Sequence, residues 1–407
     1  MAADDEAAGA PGQGQPSQAV QEAGQAAEGQ KVEGQQGTGQ GEEKKKSTFW
    51  ISWDSLERRV YLKKWVAVSC SKDRTAKIWE LNSMECRGTL GGFHEGGVRC
   101  CAFNLKDLMC VTAADDGSMC LWAMDRYECK EQWLSGKYGQ QVCISADWEH
   151  ERCVTGTAEG TLCFWDIKRL GLKATVDAHQ GARITKVDLD MGLGQCLTAA
   201  DDGRVRKWDF SDLQEAGIKC IGTFDNHGET ITTMMVDWSR ARVLTGGADG
   251  KVFFWHLQSR AVIGNLQGHD DKINSAAWDI EKGMAITASD DETARVWDVQ
   301  HGKPLGVLAG HEQAVRDVKA DFERNICVTC SDDTTLRVWD IVTRSCLAVM
   351  AEHLNRVTCL SVNWKKNLIL SGSDDYTLKL WDVEKYWCEE TFYGHAGPIT
   401  MIASQPP

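Results

Sequence analysis

A chain of 407 residues with a formal net charge of -14 has room for a sizeable core, and its surplus of acid opposes long-range attraction to polyanions, which disfavours nucleic acid as a partner. No run approaches the roughly 18 uninterrupted apolar residues of a membrane helix, and no apolar segment follows the N-terminus, so a soluble protein with no membrane role is expected, cytoplasmic with the nucleus left open. Seventeen cysteines, an odd number spread through strand-like segments, point to reduced thiols and away from a secreted disulfide framework.

Residues 1–46 are dominated by Ala, Gly, Gln and Glu, contain no aromatic residue or isoleucine and show no apolar period. Such a segment buries too little to offset chain entropy, so a disordered leader is expected there, with 47–407 as the folded domain. Its composition suits a solubility tail or spacer, and Lys44-Lys45-Lys46 is too short to act as a nuclear signal.

Beyond the leader the tryptophans repeat. Trp79, Trp122, Trp165, Trp208, Trp255, Trp297, Trp339 and Trp381 are spaced 43, 43, 43, 47, 42, 42 and 42 residues apart. Around them one cassette returns, clearest in Ser289-Asp290-Asp291 through Trp297-Asp298, Ser331-Asp332-Asp333 through Trp339-Asp340, and Ser373-Asp374-Asp375 through Trp381-Asp382. Each reads as a strand, an Asp-led tight turn and a second strand. A His stands 28 residues before the Trp at His94, His227, His269, His311 and His353, and one residue further away at His179.

Between that His and the cassette, residues alternate, as with Val357, Cys359, Ser361 and Asn363 against Thr358, Leu360, Val362 and Trp364, which is the period of a strand. A short apolar segment such as Cys346 to Met350 follows each Trp-Asp, giving four strands per unit. One such unit cannot close a core, whereas eight stacked radially can, and an all-β, eight-bladed propeller is predicted.

In these residues the chain resembles the WD-repeat family, over a stretch from about residue 55 to residue 404. In that family the repeated His, Ser or Thr, Asp and Trp form a hydrogen-bonded tetrad within each blade. The resemblance implies three complete sets: His269, Ser289, Asp291 and Trp297; His311, Ser331, Asp333 and Trp339; His353, Ser373, Asp375 and Trp381. In blade three Lys137 takes the place of His and Glu159 that of Asp. Ala114, Ala200 and Gly247 take the place of Ser in blades two, four and five, and these blades are expected to be less stable.

The chain ends on Gly394-His395 and a lone strand, 398–404, while the first repeat lacks its own Gly-His. The tail is therefore expected to supply the innermost strand of blade one, with His395 joining Ser71, Asp73 and Trp79, which also removes an exposed edge. The competing arrangement uses residues 55–62, where the alternation of Leu56, Val60 and Leu62 is interrupted by Arg58.

Seven of the ten histidines and most acid pairs fall at repeated positions, so structure accounts for them, and no Gly-x-Ser-x-Gly, Walker loop or His-Glu-x-x-His occurs. No enzyme, cofactor or metal site is expected. Cys327 and Cys330, three apart on one strand, face opposite sides and cannot chelate together.

The family's pattern puts the first Asp of each pair, Asp115, Asp201, Asp290, Asp332 and Asp374, on the rim around the central channel, beside Arg99, Arg183, Lys272, Arg316 and Arg356. That ring suits docking of a peptide or loop of another protein, and a scaffold that gathers a multiprotein complex is the leading reading. Recognition of phosphorylated ligands through the same rim is the alternative, and an enzyme with substrate in the channel comes third.

Overall fold

The computed structural model describes residues 65–405 apart from 135–138, 169–170 and 213–216. The expected leader, the 55–62 strand and Lys137 lie outside the described residues. Among the described residues there is no helix, and the strands form eight antiparallel sheets of four. Blades two to eight are continuous in sequence: Val98–Leu134, Gln141–Asp177, Ile184–Asp225, Ile231–Leu266, Ile273–Ala309, Val315–Met350 and Val357–Phe392. Blade one joins Val66–Leu90 to the C-terminal strand Ile399–Gln405, which pairs with Val66–Ser71 in the register Val68↔Ala403.

The first strand of each of these seven blades, and Ile399–Gln405 in blade one, touches its counterparts in the two neighbouring blades, so these eight strands form the inner wall of a closed ring. Alternation along each strand sends apolar side chains to both faces of a blade, and each face packs on the next blade. Cys327 belongs to the layer between blades six and seven and Cys330 to the layer between seven and eight. All seventeen cysteines are free. The eight repeated tryptophans are buried, and they contribute the largest side chains to these layers.

One irregularity recurs. Seven inner strands, from blade two to blade eight, carry a register shift after their first residue, leaving Arg99, Val142, Thr185, Thr232, Asn274, Arg316 and Thr358 as the extra residue; Thr400 is the equivalent in blade one. A bulge re-aims the side chain it carries. Asn274 Nδ2 donates to the Val315 carbonyl at 2.8 Å, Thr358 Oγ1 to Ile399 at 2.8 Å and Thr400 Oγ1 to Val98 at 2.6 Å, each reaching the next blade. Thr185 and Thr232 do the same with Ile231 and Ile273. The ring is thus laced by side chains at its narrowest circumference.

Candidate docking face

The tetrads fix the loops that surround the channel. In every blade the indole Nε1 donates to a hydroxyl ten residues earlier: Ser69, Thr112, Thr155, Thr198, Thr245, Thr287, Thr329 and Ser371, at 2.7–2.9 Å. The same hydroxyl meets His Nε2, as in His269–Thr287 at 2.8 Å, His311–Thr329 at 2.8 Å, His353–Ser371 at 2.7 Å and His395–Ser69 at 2.7 Å. The opposite ring nitrogen meets the turn carboxylate of Asp291, Asp333, Asp375 or Asp73 at 2.6–2.7 Å. A neutral imidazole satisfies the whole chain, donating from Nδ1 to the carboxylate and accepting at Nε2. Burial works against charge on these four carboxyls, yet the His and Thr hydrogen bonds outweigh it and hold them well below the usual carboxylate range.

This geometry corrects the hydroxyl expected from sequence. Ser71, Ser289, Ser331 and Ser373 stand two residues too late. Their hydroxyls instead donate to the carbonyls of Gly397, Asp271, Gln313 and Asn355 and accept from the amides of Asp73, Asp291, Asp333 and Asp375. Residues two apart on a strand share a face, so Thr287 and Ser289 offer the same chemistry to a reader of spacing alone. Ala114, Ala200 and Gly247 therefore leave the hydroxyl of their blades in place, supplied by Thr112, Thr198 and Thr245, and the reason for expecting those blades to be weak disappears. In blade two a Ser intervenes: His94 Nδ1 lies 2.6 Å from Ser118 Oγ, which donates to Asp116.

The face carrying the His loops and Asp turns, here the top face, also carries the charged ring. Its basic members occupy two positions. Arg99 and Arg316 are bulge residues, whereas Arg183, Lys272 and Arg356 immediately precede the first apolar residue of the strand. Arg99 pairs with Asp115. Arg316 binds Asp332 through Nε at 2.8 Å and crosses to Asp290 of blade six through Nη1 at 2.9 Å. Arg356 Nε meets Asp374 at 2.8 Å. Asp201 and Asp290 receive no such bond from their own blade's Arg183 and Lys272; what joins them is backbone, each Asp amide donating to the Arg or Lys carbonyl at 2.9 Å.

Two further features escape the sequence. Asp317 and Lys319 form an ion pair at 2.8 Å on the inner strand of blade seven, left over once the tetrads are assigned. Its carboxylate accepts from Ser275 Oγ of blade six at 2.6 Å and from the Leu360 amide of blade eight at 3.0 Å, which makes it a strut across three blades. The second is apolar. Leu354, Tyr376 and Tyr393 are 89%, 46% and 74% exposed, and together they line a pocket of about 460 Å3 where blade eight meets blade one. The residue after the tetrad His is Glu95, Gln180, Gly228, Asp270, Glu312 or Ala396 elsewhere, so Leu354 departs from a mostly polar position. Tyr376 occupies the turn position whose φ lies near +70° in all eight blades, here 73°, and which is Gly117, Gly160, Gly203 and Gly250 in four of them. A bulky residue is strained there.

Among the described residues no group of three or more His, Cys, Asp or Glu side chains is arranged to hold a metal ion.

The family model described as WD domain, G-beta repeat matches residues 84–123, 218–256, 260–298, 302–340 and 344–382. No curated protein sequence matches the chain. Among solved structures, the crystal structure of the computationally designed Ika8 protein superimposes with a TM-score of 0.66, at 24% identity over 78% of this chain and 93% of that one, a likeness that speaks for the fold alone. Propellers of the matched family generally mediate protein–protein interactions and are typically non-catalytic. Five matched repeats within a closed eight-bladed ring give the conclusion: this chain belongs to the WD-repeat family.

Proposed function

We propose that the protein is a non-catalytic scaffold whose top face docks a segment of another protein and so gathers a multiprotein complex. The observation that carries the reading is the trio Leu354, Tyr376 and Tyr393. Three large side chains stand in solvent around one pocket. An exposed apolar cluster is a cost that a binding role explains, and aromatic residues in a pocket are the usual centre of binding energy. The charged ring beside it supplies polar complementarity, with Arg316 and Arg356 already braced by carboxylates and so held in fixed orientation.

Phosphorylated ligands remain a narrower form of the same reading, and they differ in the salt sensitivity of binding. The seventeen free cysteines, most of them buried, support residence in a reducing compartment, the cytoplasm first and the nucleus after it.

The test compares affinity capture from native cell extract by the wild type and by a folded variant carrying Leu354→Ser, Tyr376→Gly and Tyr393→Ser, quantified by mass spectrometry. Partners lost from the variant alone support docking at this rim. An unchanged set moves the interaction to the outer blade edges and overturns the reading.

A further inference from the structure

The cations around the channel are unequal. Arg99, Arg316 and Arg356 are each held by the first turn carboxylate of their own blade, Asp115, Asp332 and Asp374. On the other side of the ring that carboxylate is thinned out, because Ala158 in blade three and Ala248 in blade five stand where blades two, four, six, seven and eight carry Asp. Asp290 of blade six is taken by Asn274 Nδ2 at 2.7 Å and by Arg316 from blade seven. Arg183, Lys186 and Lys272 are left without an ion pair among the described residues, although the chain as a whole is strongly acidic.

These three side chains converge on a pocket of about 380 Å3 that spans blades three to six, and Asp201 is the one carboxylate among its lining residues. Thr185, Thr232 and Asn274 also line it, but their donors are spent on the next blade's carbonyls. Thr230 adds a hydroxyl to the wall.

We propose that this arc of the ring takes an acidic segment of the docked partner, with Asp and Glu carboxylates meeting Arg183, Lys186 and Lys272; the proposal rests on the top face being the docking face. Charge complementarity selects an anion, and its distribution selects the kind. Arg183 and Lys186 sit on blade four and Lys272 on blade six, with the neutral Thr230 of blade five between them. Separated single charges along an extended chain match that spread, whereas one phosphoryl group concentrates its charge at a point.

The experiment measures fluorescence anisotropy of the full chain with a dye-labelled peptide of alternating Glu and Gly, about ten residues long and roughly 33 Å when extended. A Gln-Gly peptide and a phosphoserine-Gly peptide of equal length serve as the other arms. The Glu peptide is expected to bind with an affinity that falls as salt rises, and the Gln peptide not to bind. Arg183→Gln, Lys186→Gln and Lys272→Gln together are expected to weaken the Glu peptide by about tenfold or more. Asp201→Asn is expected to tighten it several-fold, a gain that a misfolded variant cannot give.

Equal binding of the Glu peptide by wild type and triple variant overturns the proposal, as does no binding at low salt. Phosphoserine peptide bound more than about tenfold tighter than the Glu peptide overturns it in favour of phosphate. If the acidic peptide fails while partners captured through Leu354, Tyr376 and Tyr393 persist, the acidic chemistry falls and top-face docking stands. Loss of both removes both.

Discussion

His395 Nδ1 stands 2.7 Å from Asp73 Oδ2, two groups 322 residues apart that meet because the chain closes on itself. The last strand contributes more than an edge to blade one. His395 Nε2 reaches the Ser69 hydroxyl that also accepts from Trp79, and Ala396 donates its amide to Asp73 at 2.9 Å. His395→Ala strands buried Ser69 and half-buried Asp73, so we expect a loss of about 1–3 kcal/mol, read as a lowered urea midpoint. Truncation after Gly394 exposes the Val66–Ser71 edge as well and should give aggregation on refolding. A truncated chain that refolds to the wild-type midpoint would contradict this closure.

The two hydroxyls of each cassette are separable by experiment. Thr329→Val leaves the indole of Trp339 and Nε2 of His311 unpaired inside the blade, and should cost about 2–4 kcal/mol. Ser331→Ala recreates what Ala114 and Ala200 already give blades two and four, and should cost about 1 kcal/mol or less. Paired denaturation curves decide it. A larger loss from Ser331→Ala would return the tetrad to the register read from sequence.

Stability should fall in two stages on acidification. Burial pushes the imidazoles of His94, His179 and His227 below their ordinary value, so the unfolded chain takes up protons near pH 6.5 that the folded chain refuses. A state that binds fewer protons loses stability as pH drops, and the first decline begins at about pH 7. The second begins near pH 4. There the unfolded forms of Asp73, Asp291, Asp333 and Asp375 protonate while the folded forms, with lowered pKa, stay ionised into stronger acid. Urea midpoints measured from about pH 8 to 3 should trace both steps, and His179→Asn should shrink the first. A flat midpoint between about pH 7 and 5 would contradict the burial of these rings.

Much of the fold was legible because its signals are periodic. Trp297, Trp339 and Trp381 recur at 42 residues, and a period of that size with alternating strands has one economical solution. What escaped was what periodicity averages away. Thr287 and Ser289 share a strand face, and spacing does not register that His269 meets the first while the second bonds the Asp271 carbonyl. Arg99 and Arg183 read alike as flanking cations, yet one sits in a bulge and pairs with Asp115 while the other precedes the strand and makes no ion pair with Asp201, which lines the same pocket. Leu354 is an unremarkable loop residue in sequence. It lies in the loop leading into blade eight, and only the fold brings it to the same pocket as Tyr376 and Tyr393.

Tyr376→Gly separates stability from docking at one position. Its φ of 73° favours glycine, and four other blades use glycine at the same place in the turn. Replacing the tyrosine relieves backbone strain but frees the unfolded chain, so stability should stay level or rise by up to about 1 kcal/mol. The side chain also forms part of the pocket wall, half-exposed beside Leu354 and Tyr393, and its removal should weaken the partner held there. Thermal unfolding and partner capture on one preparation test both halves. A stable variant that has lost its partner means the tyrosine side chain is kept for binding. A destabilised variant means the ring packs for the fold, and the apolar rim then loses its claim as the centre of the docking face.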